Sequence, residues 1–133
     1  MEFIGKWIDA RQRIYLVEIR GFLKMADVDP LFLGIVNGEA GAVPAYLILD
    51  LTGAMIPDEL VQPTTWSLES DYSIRMRRFL SRADVCFLIH IMNDHGAYFD
   101  RTQEYYAFLK MSHKIAFFPT QAEAMDFIHG TAR

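Results

Sequence analysis

The pattern of hydrophobic and polar positions over residues 3–8 and 13–20 predicts two strands. In the second stretch Ile14, Leu16, Glu18 and Arg20 face one way and Tyr15, Val17 and Ile19 the other, as side chains on a strand must. The polar turn Asp9-Ala10-Arg11-Gln12 between the stretches predicts an antiparallel hairpin. The period then changes. Val28, Leu31, Phe32, Ile35 and Val36 recur at helical spacing, predicting a helix over 27–39. Asp27 or Asp29 is its expected cap, Pro30 falls in its first turn, and Asn37-Gly38 is its stop.

Ala45 to Leu51 is almost continuously apolar, the pattern of a strand covered on both faces. Residues 52–65 contain Gly53, Pro57 and Pro63 and read as mainly loop. A second helix is predicted over 66–81, carrying Leu68, Tyr72, Met76, Phe79 and Leu80 on one face and capped by Thr64, Thr65 or Ser67. Val85–Ile91 is a second buried strand. A third helix follows over 97–111 with Phe99, Thr102, Tyr106 and Leu109 on one side. Lys114–Phe118 is a short strand, and Thr120 with Glu123 three residues on forms a capping box for a last helix.

The order ββαβαβαβα defines an α/β class: a five-stranded, mostly parallel mixed sheet with an N-terminal antiparallel hairpin and about four helices. No internal repeat or linker interrupts residues 1–133, so one domain is expected.

Composition narrows the function. Hydrophobic residues make up 52% of the 133 positions, which excludes a disordered chain. The net charge of −4 argues against nucleic acid as a partner, because phosphate binding needs a positive field. Cys86 is the one cysteine, so no internal disulfide forms. The opening residues lack the pattern of a secretory signal, and no apolar run approaches the roughly 18 residues of a membrane span. A soluble, cytoplasmic protein is therefore expected.

Leu49-Asp50-Leu51-Thr52-Gly53 is similar to the Asp-Leu-Ser-Gly step that ends a strand in STAS domains. In those domains a second acid follows eight residues after the first, and then a phosphorylatable Ser or Thr. Asp50 and Asp58 keep that spacing, and Glu59-Leu60 stand where the hydroxyl would be. The ending Lys114-Ile115-Ala116-Phe117-Phe118-Pro119-Thr120-Gln121-Ala122-Glu123-Ala124-Met125-Asp126-Phe127-Ile128 looks like that of SpoIIAA-like proteins. The chain thus resembles the STAS/SpoIIAA-like superfamily of anti-sigma-factor antagonists. The resemblance implies a non-catalytic module that binds a regulatory protein partner or a small apolar ligand, without a cofactor. It implies a switch loop formed by Asp50, Thr52, Asp58 and Glu59, with Trp66 beside them. There Asp58 would orient the loop and Glu59 would supply a fixed negative charge.

A second constellation lies at the end of the Val85–Ile91 strand. His90, Asn93, Asp94 and His95 fall where α/β sheets gather ligands, next to the strand that ends in Asp50 and Thr52. Imidazoles and carboxylates that converge make a metal-dependent or hydrolytic site the alternative reading, with His90, Asp94 and His95 as its residues. The plainer reading makes His90 a core histidine and Asn93 or Asp94 a helix cap. Cys86, flanked by Val85 and Phe87, reads as inert core. Arg75, Arg77, Arg78 and Arg82 read as a solvated face paired with Glu69 and Asp71. The aromatic surplus on the third helix (Phe99, Tyr105, Tyr106, Phe108) suggests a homodimer through that helix or through the edge hairpin.

Overall fold

The computed structural model describes residues 2–55, 66–92 and 97–131. The five strands are β1 (Glu2–Asp9), β2 (Ile14–Phe22), β3 (Tyr46–Met55), β4 (Phe87–Ile91) and β5 (Ile115–Phe118). The four helices are α1 (Met25–Val36), α2 (Asp71–Leu80), α3 (Ala97–Phe108) and α4 (Gln121–Thr131). They form one sheet in the order β1-β2-β3-β4-β5. β1 runs antiparallel to β2, and all later pairs are parallel. The α/β class, the hairpin and the element order are as the sequence pattern predicts.

Strand order that repeats chain order has a geometric consequence. Crossovers of one hand, stepping always in one direction, leave their helices on one face of the sheet. Val17, Ile19, Leu47, Leu49, Leu51 and Leu88 accordingly pack with Val28, Phe32 and Ile35 of α1, Met76, Phe79 and Leu80 of α2, and Tyr106 of α3. On the other face Ile14, Leu16, Tyr46, Ile48, Ile89 and Ile91 pack with Ala124 and Ile128 of α4. Leu47 and Ile48 are both fully buried, which accounts for the unbroken apolar run in β3.

Several boundaries differ from the predicted ones, each for a local reason. α1 begins at Met25 behind Lys24, which makes no side-chain cap, so neither Asp27 nor Asp29 caps it and Pro30 lies inside the helix. Asp29 instead pairs with Arg75 of α2. Gly38, at φ +76°, supplies the left-handed residue that ends the helix, as expected of Asn37-Gly38. α2 starts only at Asp71, capped by Ser70, whose Oγ accepts from Ser73 N at 3.2 Å. Ser67 instead closes a turn by accepting from Glu69 N at 3.1 Å, Leu68 lies ahead of the helix, and Thr64 and Thr65 fall outside the described residues. Thr120 caps α4 as predicted, its Oγ1 accepting from Glu123 N at 3.2 Å.

The largest difference is in β3. The strand continues through Thr52-Gly53-Ala54-Met55, where loop was expected. It does so through a bulge. Glu18 pairs with Asp50 but Arg20 pairs with Gly53, so Leu51 and Thr52 together oppose Ile19. The ladder then runs on to Phe22 opposite Met55.

Candidate functional site

The bulge is built around Asp50. This carboxylate is 8% exposed and lies on the α4 face, in register with Ile91. Its Oδ1 accepts from Thr52 N at 3.0 Å and from Thr52 Oγ1 at 2.7 Å. Its Oδ2 accepts from Gln121 Nε2 at 2.6 Å. Three donors on one carboxylate hold the bulge closed and tie the end of β3 to the first residue of α4. Gln121 was not legible as a member of this group, because only the sheet order brings the start of α4 beside the end of β3.

Beyond the bulge the tips of β2 and β3 carry an apolar pair with little cover. Phe22 is 49% exposed and Met55 64% exposed. Leu23 N donates to Met55 O at 2.8 Å, fixing the tip. Reading the second strand only to Arg20 and the third only to Leu51 hides this pair from the sequence.

Asp50 and Thr52 are therefore hydrogen-bonded to each other. Trp66 is not beside them. Its ring lies 5.4 Å from that of Tyr105 and 5.8 Å from that of Phe108, on the helix that covers the opposite face. Asp58 and Glu59 lie outside the described residues.

His90 also faces away from Asp50. It pairs with Leu49 across the ladder and so projects toward the α1–α3 face. The ring is 3% exposed, stacks on Phe117 at 5.1 Å and meets Tyr106 edge-on at 5.5 Å. Its Nε2 is 3.5 Å from Tyr106 Oη, and its Nδ1 has no partner among the described residues. Burial pushes its pKa down to about 4, so the imidazole is neutral at pH 7. The expected convergence of His90 with Asp50 and Thr52 does not occur, because the sheet lies between them. Asp94 and His95 are outside the described residues, and among the described residues no group of three His, Cys, Asp or Glu side chains could hold a metal ion. Cys86 is half-buried beside Tyr46, whose pKa is raised, mainly by burial and also by its bond to the thiol.

The aromatic surplus of α3 goes into packing. Phe99 meets Phe117 at 4.8 Å and Tyr106 meets His90. Tyr105 stacks on Tyr72 of α2, which meets Phe32 of α1 edge-on at 6.0 Å. Ser73 Oγ lies 2.8 Å from Tyr105 Oη, and burial raises the Tyr105 pKa against the lowering effect of that bond. Two of the arginines, Arg75 and Arg82, have partners other than those expected. Arg75 pairs with Asp29, and Arg82 grips Asp84 through two bonds of 2.9 Å. The Arg82 guanidinium holds the Asp84 carboxyl down at about 2. None of the described helices is long and apolar enough to cross a membrane.

No protein-family profile matches the sequence, and no curated protein does. Solved structures do match. The anti-sigma factor antagonist SpoIIAA in its unphosphorylated form superposes with a TM-score of 0.56 at 14% identity, over 97% of each chain. The Bacillus cell fate determinant SpoIIAA in the phosphorylated form superposes with a TM-score of 0.54 at 13% identity, over 96% of this chain and 99% of that one. End-to-end superposition shows that this chain has the SpoIIAA-like fold.

Proposed function

We propose that the chain is a non-catalytic regulatory module that binds a partner protein through the carboxyl ends of β2 and β3. The observation that carries this reading is the exposed Phe22–Met55 pair beside the Asp50-clamped bulge. Phe and Met are enriched at protein interfaces, and burying a side chain of this size contributes about 1.5–3 kcal/mol. The clamp presents the pair on a fixed strand end, which lowers the ordering cost of association.

The likeness to SpoIIAA, an anti-sigma factor antagonist, suggests the partner class: an anti-sigma factor in the cytoplasm. Glu59 stands in sequence where STAS domains carry the phosphorylatable hydroxyl. A permanent carboxylate there would replace a phosphorylation switch with a constant charge. The same reading includes a homodimer. A small apolar ligand in place of the protein partner is its other form, favoured by the linked rings of Trp66, Tyr105, Tyr72 and Phe32 under the helices.

Calorimetric titration against the anti-sigma factors of the source organism tests the protein form. Phe22→Ser/Met55→Ser is expected to weaken binding about ten-fold or more, since truncating central apolar contacts costs over 1 kcal/mol. Its melting temperature should stay close to that of the wild type. Glu59→Ser should change affinity, since it removes the fixed negative charge. Equal binding by the double variant would remove the β2–β3 tip from the interface. Absence of binding by the wild type, with an apolar molecule retained in native mass spectra, would replace the protein partner by the ligand.

A further inference from the structure

β1 ends the sheet with an outer edge that no described strand pairs. Its inner attachments are firm. Phe3 packs against the core, the Trp7 ring stacks on Tyr15 at 4.9 Å, and Trp7 Nε1 donates to Ala40 O at 2.8 Å. The other face of β1 extends beyond the strands that α4 covers, and it presents Glu2, Ile4 and Lys6, all exposed. Ile4 is 42% exposed. Across the ladder Glu2 has Arg20 as its neighbour and Ile4 has Glu18, which pairs with Arg20 at 3.7 Å, whereas Lys6 lies directly opposite the buried Leu16. An exposed strand edge is a template for another strand, and a lysine on it restricts which strand and register are accepted.

We infer that the β1 edge is a self-association surface on which two copies pair antiparallel about Ile4. The inference rests on the homodimer included above. A two-fold axis perpendicular to the sheet keeps every side chain on its own face, so only residues of like parity oppose one another. The β-bulge between Trp7 and Asp9 limits the regular edge to Glu2–Trp7. Within that window, centring on Gly5 sets Lys6 against an isoleucine, and centring on Lys6 sets two ammonium groups together. Centring on Ile4 places Glu2 of each copy opposite Lys6 of the partner subunit, twice, with the two Ile4 side chains between them. This register alone pairs opposite charges. The α3 aromatics, the other dimer surface expected from sequence, are engaged within the fold. A six-residue edge buries less than a standard interface, so the dimer is reversible and concentration-dependent.

Sedimentation velocity of the full chain from about 1 µM to 1 mM is expected to show a monomer–dimer equilibrium. Lys6→Glu, an exposed change, should raise the dissociation constant about ten-fold or more, because like charges then oppose at both pairs. The swap Glu2→Lys/Lys6→Glu should restore it. In a Cys86→Ala background, Ile4→Cys should oxidise to a covalent dimer while Lys6→Cys does not, since only position 4 lies opposite itself. A wild-type dimer untouched by Lys6→Glu and uncrosslinked at position 4 would overturn this surface and leave the homodimer standing elsewhere. A wild type that stays monomeric throughout would overturn the homodimer as well, without bearing on the partner protein.

Discussion

Asp50 and His90 stand on adjacent strands, one residue apart in register, and point to opposite faces of the sheet. The acid has a full set of donors on the α4 side, and the imidazole is enclosed by aromatic rings on the α1–α3 side. Each therefore answers to its own surroundings.

Asp50→Ala should cost about 1.5–3 kcal/mol, the range of hydrogen bonds to a charged group, because the donors of exposed Thr52 and half-buried Gln121 lose their acceptor. Urea unfolding measures this. Combined with His90→Phe, the two changes should add to within about 0.5 kcal/mol, because the residues share no partner. A coupling well above that would show that the groups communicate through the sheet.

His90 should make the protein sensitive to acid. Its folded pKa of about 4 lies below the unfolded value of 6.5. Between those values the unfolded chain binds the proton and the folded chain does not, so stability falls as the pH drops from 6.5 to 4. At about 1.4 kcal/mol per pH unit the loss is on the order of 3 kcal/mol. His90→Phe keeps a ring against Phe117 and removes the titration. Denaturant midpoints at pH 7 and pH 4.5 should lie closer together in this variant than in the wild type. An unchanged gap would assign the acid limb to other groups.

Gly5 is fixed by a neighbour. A Cβ added there would lie 2.3 Å from Tyr15 Oη and 2.9 Å from Tyr15 Cζ, and the Tyr15 ring is held by its stack on Trp7. Gly5→Ala should therefore destabilise by about 1–2 kcal/mol, in the range of overpacked sites. Tyr15→Phe, which removes the nearest atom, should recover part of the loss in thermal melts.

The strands and helices were legible because their periods are clear: two in β2, continuous in β3 and β4, helical in α1. What the pattern hid were events that depend on residues distant in sequence. Thr52 and Gly53 look like loop, and they belong to a strand only because a bulge lets Arg20–Phe22 keep pairing with them. Asp29 looks like a cap, but an arginine 46 positions on takes it as an ion-pair partner. Ser67 looks like a cap for α2, but the helix begins later, at Asp71, and Ser70 caps it. In the candidate site, the Asp50–Thr52 contact is local. The roles of Gln121 and Trp66, and the separation of His90 from Asp50, follow from register and layer, which one sequence read alone does not display.

A sheet whose spatial order repeats its chain order, β1 to β5, also bears on how the protein is made. As the chain leaves the ribosome, each new strand joins the edge laid down before it, and none has to be inserted between two already paired. Synthesis is far slower than hairpin formation, so the growing sheet equilibrates at every step. Until β4 emerges, the apolar β3 is the open border of the nascent sheet, and that interval is the one in which a chaperone would matter most.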